Sequence, residues 1–493
     1  MTYPWSDIIW KNIAEQFVYN QQEPLIFSSG FFLFLFAAFA AVYVALRRAD
    51  TLRIIFVTLF SYYFYYKSSG VYFFLLAFVT VSDFLIGKQI GKTRSKWLVA
   101  LSVIIDLGLL AYFKYTNFFV GMLSSMWTNN FQPWDIFLPV GISFFTFQSL
   151  SYTIDIYRGR IKPLDNLLDY TFFVSFFPQL VAGPIVRAAD FIPQIRKPLV
   201  VTQAMISEAV FLVASGLFKK AVISDYISVN FGERVFDRPE CYTGIENLLA
   251  TYGYTLQIYC DFSGYSDMAI GLALLLGFRF PTNFNSPYKA DSPTNFWARW
   301  HISLSSWLKD YLYISLGGNR KGKIRQYINL ILTMLLGGLW HGASLNFIMW
   351  GLLHGFALVF DKVKNTLLHR PKNFHSKGFV HFIEVFITFH FIAFCWIFFR
   401  NTTFENAWAM IKMIFTNLQP MLLVEWIISY WGVAVLMMIG YVMHFLPESI
   451  TQTTKNLISR TNIVGQACII IAVIYIVMQV KSSDLQPFIY FQF

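Results

Sequence analysis

Long apolar runs separated by short charged stretches dominate this chain. An α-helix needs about 20 mostly apolar residues to cross a bilayer, and many of the runs approach that length. The pattern predicts about 11–13 membrane-spanning helices. The predicted spans cover residues 27–46, 52–66, 71–87, 97–113, 136–156, 204–224, 246–277, 326–345, 346–361, 380–399, 422–445 and 464–480.

One apolar run, residues 170–186, departs from a simple helix because it contains Pro178, Gly183 and Pro184. Broken backbone at membrane depth is tolerated only inside protein or along a cavity. The basic residues that follow the run belong on the same side as those that precede it. The pattern therefore favours a re-entrant segment over a full crossing.

Two further segments are predicted to lie at the membrane surface. Trp5, Ile9, Ile13 and Phe17 recur at helical spacing, which favours an interfacial helix within residues 1–26, with a disordered tail as the alternative. Residues 278–325 are more polar and are bounded by basic residues, so they are placed at the cytoplasmic face, dipping into the protein. No linker divides the chain, and we expect a single membrane domain over residues 1–493.

Composition supports the fold class that the runs predict. The chain is 56% hydrophobic and only 13% charged, with a mean hydropathy of +0.52, whereas soluble domains carry about 25% charged residues. The expected fold is an all-α polytopic membrane protein surrounded by lipids. The net charge of +11 is a topology signal, since basic loops stay cytoplasmic. Nucleic-acid binding has no support, because the basic residues lie in short loops between spans.

The four cysteines, Cys241, Cys260, Cys395 and Cys468, show no metal or redox spacing. They are interpreted as packing residues, and no metal site is predicted.

The most unusual polar residue is His341, in the apolar segment Leu-Leu-Gly-Gly-Leu-Trp-His-Gly-Ala-Ser. A titratable ring at membrane depth costs free energy unless it is paired or hydrated. A neutral imidazole is a natural general base near neutral pH. Gly338 and Gly342 lie four residues apart, which on a helix lets a backbone or a ligand approach closely. The structural alternative is a histidine that only bonds a neighbouring helix.

A second histidine, His301, lies in Arg-Trp-His-Ile-Ser-Leu-Ser-Ser-Trp-Leu-Lys-Asp. If this segment is helical, Ser305 lies one turn on, on the same face. Trp300 adds aromatic surface, and Asp310 follows farther along. The alternative is an amphipathic helix at the interface, with tryptophan at headgroup level.

Two other stretches carry polar groups that chemistry could use. Gly317-Gly318-Asn319-Arg320-Lys321-Gly322-Lys323 combines free backbone amides with basic side chains and can hold phosphates, although it lacks P-loop spacing and also fits an inside-positive turn. Asp261 and Asp267 interrupt an apolar span. Intramembrane carboxylates are functional candidates, but here we favour structural partners for an arginine or a tryptophan N–H.

Four segments in this order resemble the membrane-bound O-acyltransferase family, in particular its bacterial branch that acylates alginate and teichoic acids. They are Phe-Pro-Gln-Leu-Val-Ala-Gly-Pro-Ile (177–185), Arg-Trp-His-Ile-Ser-Leu-Ser-Ser-Trp-Leu-Lys-Asp-Tyr-Leu-Tyr-Ile (299–314), Gly-Gly-Asn-Arg (317–320) and Leu-Trp-His-Gly-Ala-Ser (339–344). The similarity runs from about residue 30 to the end of the chain.

The resemblance implies many helices around a central funnel or tunnel, with His341 as the catalytic histidine and His301 in the same site. It also implies no permanently bound cofactor. The implied acyl donor is acetyl-CoA or the phosphopantetheine thioester of an acyl carrier protein, and the implied partner is an extracytoplasmic acetyltransferase. The candidate substrate-binding residues are Trp300, Ser305, Asp310, Asn319, Arg320, Lys321, Trp340, Gln179 and Arg187.

The resulting hypothesis is an O-acyltransferase of the bacterial cytoplasmic (inner) membrane. It would move an acetyl or other short acyl group from a cytoplasmic thioester toward hydroxyls of an extracytoplasmic polysaccharide. Two alternatives stay open: an acyl conduit or transporter whose partner does the chemistry, and an acyltransferase that acts on a lipid or a protein. The sequence identifies neither the acyl group nor the acceptor polymer nor the carrier.

Overall fold

The computed structural model describes residues 14–126, 131–371, 374–480 and 488. Within these residues every regular element is helical, so the predicted all-α class is confirmed. The predicted interfacial helix at the N-terminus falls mostly outside the described residues.

Most of the predicted apolar runs correspond to helices, whereas the helices Phe404–Thr416 and Glu448–Arg460 lie outside them. Three π-helical segments, Phe218–Ser224, Ser228–Gly232 and Leu308–Tyr313, interrupt the helices. In chain order the α-helices are α1 (Gly30–Ala45), α2 (Asp50–Ser69), α3 (Phe73–Thr93), α4 (Lys96–Ser124), α5 (Ile142–Tyr157), α6 (Leu167–Ser175), α7 (Phe177–Leu180), α8 (Ala188–Ile195), α9 (Gln203–Leu217), α10 (Asp225–Ile227), α11 (Glu233–Asp237), α12 (Gly244–Leu275), α13 (Pro293–Trp297), α14 (Ile302–Trp307), α15 (Lys323–His341), α16 (Leu345–Leu367), α17 (Gly378–Arg400), α18 (Phe404–Thr416), α19 (Leu423–Ser429), α20 (Trp431–Phe445), α21 (Glu448–Arg460) and α22 (Ile463–Val480).

Several helices are long and apolar enough to cross a membrane, as a polytopic protein requires. Among the described residues four helical stretches meet that test by length and composition, and two bent pairs raise the number to six if each pair is one span. The larger number of spans predicted from hydropathy stays a prediction. The four stretches are Asp50–Thr93, Lys96–Ser124, Gly378–Arg400 and Ile463–Val480, and the bent pairs are Phe404–Thr416 with Pro420–Ser429 and Trp431–Phe445 with Glu448–Arg460.

The described chain divides into two compact units, with divisions within α9, within α12 and between Phe280 and Pro281. The first unit comprises residues 14–126, 131–209, 268–280 and 488; the second comprises residues 210–267, 281–371 and 374–480. The expectation of a single domain over residues 1–493 stays a prediction.

The first unit has an aromatic core at the point where the proline-containing run breaks. The helix α6 ends at Ser175, and α7 begins at Phe177 with Pro178 in its first turn. The backbone N–H of Phe177 donates to Ser61 Oγ at 3.1 Å. The break predicted from the prolines and Gly183 is therefore present, and its membrane topology stays a prediction. Around the Phe177 ring lie those of Phe27, Phe32, Phe36, Phe39, Phe60 and Phe64, at centroid distances of 5.1–6.4 Å.

In the second unit, the half-buried Lys219 and the buried Lys220 pair with carboxylates on α12. Lys219 Nζ contacts Asp267 and also donates to Ser263 Oγ at 3.3 Å. Lys220 Nζ lies 2.6 Å from Asp261 and 2.7 Å from Asp225. The carboxylates therefore have structural partners as expected, but these are lysines rather than an arginine or a tryptophan. The lysines lie on a π-helical segment, which is joined to α12 by these ion pairs.

The helices α15 and α16 form a hairpin whose backbones touch through glycines. A Cβ atom at Gly338 would lie 2.3 Å from the carbonyl oxygen of Phe347, and one at Gly351 would lie 2.6 Å from that of Met334. At Gly342 a Cβ would overlap the Phe347 ring at 2.1 Å. The glycines near His341 thus admit a second helix and an aromatic ring, as small residues do between membrane helices, and the space at Gly338 and Gly342 is already filled.

We expect Gly338→Ala to destabilise the protein by about 1–3 kcal/mol, because the added methyl must displace helix backbone. The adjacent Gly337→Ala is a matched control. At that position the methyl would meet only the flexible Leu308 side chain, at 3.3 Å, and alanine favours a helix by up to about 1 kcal/mol over glycine. Equilibrium unfolding of both variants in mixed detergent micelles provides the test. Equal stability of the two variants would contradict backbone contact at Gly338.

Candidate active site

His341 is the last residue of α15, at the break before α16. Gly342 adopts an extended conformation, and Ser344 begins the next helix by accepting a hydrogen bond from the N–H of Phe347. The imidazole is 3% exposed. Its surroundings are aromatic, with ring centroids at 4.8 Å for Trp340, 5.0 Å for Phe399 and 5.1 Å for Trp350.

His301 lies just before α14 and is not part of the helix. The helical conformation considered for this residue from the sequence is therefore not observed. Its backbone is left-handed, with φ 43° and ψ 55°, a conformation that costs a non-glycine residue about 1–3 kcal/mol. The side chain is completely buried. Burial lowers the pKa of His301 to about 3, so the ring is neutral at physiological pH.

Trp340 connects the two histidines. Its ring centroid lies 6.4 Å from that of His301 and 4.8 Å from that of His341. Forty residues separate the histidines in sequence, yet both rings contact the same buried indole. The structure thus places His301, His341 and Trp340 in one aromatic cluster of the second unit. Their catalytic and binding roles stay predictions.

The other residues of the His301 segment serve the local structure in ways that spacing did not reveal. Trp300 is buried and stacks on Phe296 at 5.6 Å. The hydroxyl of Ser305 donates to the Trp300 carbonyl at 3.1 Å, and the Ser305 N–H donates to the His301 carbonyl at 2.9 Å. Asp310 is half-buried in the π-helical segment after α14.

The predicted phosphate-binding residues lie together on an exposed turn. Asn319, Arg320 and Lys321 are all exposed, in contrast to the buried imidazoles. Gly317 and Gly318 precede them with φ of 105° and 55°, a region in which glycine is not strained. The Asn329 side chain anchors the turn by donating to the Gly318 carbonyl at 2.9 Å.

Gln179 and Arg187 belong to the first unit. Gln179 is fully buried, and its Nε2 donates to the Phe173 carbonyl at 2.5 Å. This bond satisfies a carbonyl that the end of α6 would otherwise leave unpaired. Arg187 precedes α8, and its carbonyl accepts from the N–H groups of Asp190 and Phe191. The Gln179 side chain therefore stabilises the backbone at the break in the proline-containing run.

A third buried histidine, His354, was missed by the sequence analysis. It is completely buried on α16, and its Nδ1 accepts a hydrogen bond from Trp297 Nε1 at 3.2 Å. The Trp350 ring lies between it and the site, 4.6 Å from His354 and 5.1 Å from His341. The sequence did contain a signal for His354. It is a titratable side chain within the predicted span 346–361, the same feature that singled out His341.

Asn283 was also missed, and no sequence signal marks it. It lies outside the predicted spans and outside the four motifs, yet its side chain is a hydrogen-bonding partner of His301.

Among the described residues, no group of three or more His, Cys, Asp or Glu side chains is arranged to hold a metal ion.

The chemistry available here is that of buried imidazoles surrounded by aromatic rings. Such a ring can accept a proton from a hydroxyl and return it to a leaving group. Taken together, the fold is that of a multi-pass membrane protein with a cluster of buried histidines among aromatic rings.

Comparison with known proteins identifies the family. The family model described as MBOAT, membrane-bound O-acyltransferase family, matches residues 160–401, a range that includes His301 and His341. A probable alginate O-acetylase AlgI of Pseudomonas aeruginosa is 42% identical over 80% of this chain and 75% of its own length. The chain therefore belongs to the membrane-bound O-acyltransferase family and is an O-acyltransferase.

Two other relatives cover most of the chain. A probable alginate O-acetylase AlgI of Pseudomonas putida is 36% identical over 95% of this chain and all of its own length. A peptidoglycan O-acetyltransferase of Helicobacter pylori is 37% identical over 79% of each chain. The resemblance stated from the four motifs is thereby confirmed.

Proposed function

We propose that this enzyme moves an acetyl or other short acyl group from a cytoplasmic thioester to hydroxyls of an extracytoplasmic polysaccharide, in the inner membrane of a bacterium. The observation that carries the proposal is the contact of both buried imidazoles with the Trp340 ring, because this brings two proton-handling groups into one enclosed cluster. The names of the relatives, O-acetylases of alginate and of peptidoglycan, support a short acyl group and a polymer acceptor.

In the proposed reaction His341 is the general base. It takes the proton from an acceptor hydroxyl while that oxygen attacks the thioester carbonyl carbon. The new C–O bond forms, the C–S bond breaks, and the departing thiolate receives the proton from the imidazolium. His301 orients the acceptor hydroxyl or stabilises the oxyanion of the intermediate.

The contrast between the exposed turn and the buried histidines supports a thioester donor on a charged carrier. Arg320 and Lys321 are exposed and can hold the phosphates of coenzyme A or of phosphopantetheine in water. Only the uncharged acyl end then needs to enter the protein. The carrier is acetyl-CoA or an acyl carrier protein, and an extracytoplasmic acetyltransferase is the expected partner.

The test uses the purified full chain in liposomes, supplied with acetyl-CoA or an acetylated acyl carrier protein. Thiol release is measured, together with ester formation on alginate oligosaccharides and on peptidoglycan strands. We expect acceptor-dependent thiol release and base-labile acetyl esters. A parallel measurement compares ester-linked acyl groups in cell-envelope polysaccharides with and without the protein.

The other functions predict different results in the same assays. A conduit whose partner does the chemistry gives no thiol release from the purified protein, although envelope acylation in cells still depends on it. An enzyme that acts on a lipid or a protein gives thiol release with ester on that acceptor and none on the polysaccharides. Either result would overturn the proposal.

A further inference from the structure

The Asn283 side chain is at the centre of the hydrogen bonds around His301. Its Oδ1 lies 3.2 Å from His301 Nδ1, 3.2 Å from the Ser303 backbone nitrogen and 2.9 Å from Ser303 Oγ. Its Nδ2 donates to Ser266 Oγ at 3.0 Å. The Asn283 carbonyl also accepts from the Ile302 N–H at 2.9 Å. Asn283 therefore contacts both the ring of His301 and the backbone that follows it.

These contacts determine which way the Asn283 amide faces. A backbone N–H can only donate, so the amide atom that faces Ser303 N must be the oxygen. The amide nitrogen then faces Ser266 Oγ, which can accept. An amide oxygen is an acceptor only, so His301 Nδ1 must bear a proton to bond it. The 3.4 Å separation of Ser303 Oγ from the same Nδ1 fits this arrangement, because the serine hydroxyl donates to Asn283 and can accept from the ring.

We propose that Asn283 is a positioning residue that holds His301 as the Nδ1–H tautomer, leaving the lone pair on Nε2. The inference deepens the proposed function and rests on it for the role of His301 in acyl transfer. A neutral ring of this tautomer accepts a hydrogen bond at Nε2 and cannot donate one there. Of the two roles proposed for His301, the tautomer therefore excludes stabilisation of the oxyanion. It leaves orientation of the acceptor, in which Nε2 accepts from a hydroxyl beside the reacting one, because the single proton of the reacting hydroxyl goes to His341.

The surroundings of His301 support a neutral ring with one defined tautomer. Phe262 meets the imidazole edge to face at 4.5 Å, and Phe284 lies nearly parallel to it at 6.3 Å. The complete burial of the ring disfavours the charged form. His354 illustrates the opposite arrangement: the Trp297 N–H donates to its Nδ1, so the neutral ring carries its proton on Nε2.

The first experiment reads the tautomer directly and needs no substrate. The purified full chain, labelled with nitrogen-15 histidine, is studied by solid-state NMR in liposomes, and a His301→Gln sample identifies the His301 signals by difference. We expect a protonated Nδ1 and an unprotonated Nε2 at neutral pH. A protonated Nε2 with an unprotonated Nδ1, or a doubly protonated ring, would overturn the proposal.

The second experiment asks whether the tautomer matters for turnover. Asn283→Ala removes the amide oxygen that accepts from His301, and we expect kcat to fall at least ~10-fold with little change in KM, because a wrongly held imidazole no longer orients the acceptor for attack. Asn283→Asp keeps an acceptor at the same place and should retain more activity than Asn283→Ala.

Ser266→Ala is the matched control. It removes the hydrogen bond that Asn283 Nδ2 donates and leaves the bonds of Oδ1 in place, so we expect it to retain most of the activity. Wild-type kcat in Asn283→Ala, or less activity in Asn283→Asp than in Asn283→Ala, would contradict the inference. If Asn283→Ala fails to fold, the NMR measurement still decides it. If the wild-type protein turns over no thioester, the proposed function fails, while the NMR result still tests the tautomer.

Discussion

His341→Ala is expected to lower acyl transfer at least ~100-fold while leaving the protein folded, because a positioned general base contributes about 10²–10⁴ in rate. The ring is 3% exposed and is packed against Trp340, Trp350 and Phe399. Removing it takes away the proton acceptor but leaves α15 and α16 joined through their glycines. The measurement is acceptor-dependent thiol release by the purified variant in liposomes.

His390→Ala is the control for this prediction. His390 lies on α17, is half-buried, and bonds the Phe386 carbonyl of its own helix, so its loss should leave turnover near the wild-type value. Thermal unfolding of both variants shows whether each is folded. Activity of His341→Ala within about tenfold of the wild type would contradict its role as the base, since that lies below the usual contribution of such a group.

Lys220→Met is expected to destabilise the protein by about 3–5 kcal/mol, the usual cost of removing one partner from a buried ion pair. Lys220 is 3% exposed in its side chain and lies within 2.7 Å of both Asp225 and Asp261, of which Asp261 is equally buried. Methionine fills a similar volume but leaves two carboxylates without their cation. Equilibrium unfolding in mixed detergent micelles measures the loss.

The control neutralises the carboxylates as well. Lys220→Met combined with Asp225→Asn and Asp261→Asn removes the uncompensated charge, and we expect it to recover a large part of the lost stability, because a neutral replacement of a buried ion cluster is often tolerated. A single Lys220→Met variant as stable as the wild type would show that the pairing contributes nothing to the fold.

Much of the fold could be predicted from local sequence. The apolar run 380–399 corresponds to α17 at Gly378–Arg400, and the run 464–480 corresponds to α22 at Ile463–Val480. The proline-containing run breaks at Phe176, where the prolines predicted a break. These features depend on hydropathy and backbone restriction over a few residues, which sequence displays directly.

The candidate site was predictable only in part. His341 and His301 could be identified because an ionisable ring in apolar sequence is costly and marks a candidate functional site. The structure places both rings against Trp340. The backbone of His301 was not predictable, because its segment has the composition of an amphipathic helix. In the structure His301 is left-handed, and the N–H groups of the two residues after it donate to Asn283. The role of Gly338 was also undecided until the structure showed that helix backbone fills the space beside it.

By itself the amino-acid sequence determined the helical membrane class, the positions of most helices and the two histidines, His301 and His341, that the structure brings to Trp340. These follow from hydropathy, periodicity and short motifs, all of which act within one segment of chain. Only the tertiary structure decided which groups those side chains meet. Trp297 bonds His354 and Lys219 pairs with Asp267 across 57 and 48 residues, and such partners are selected by packing between segments, which no local pattern records.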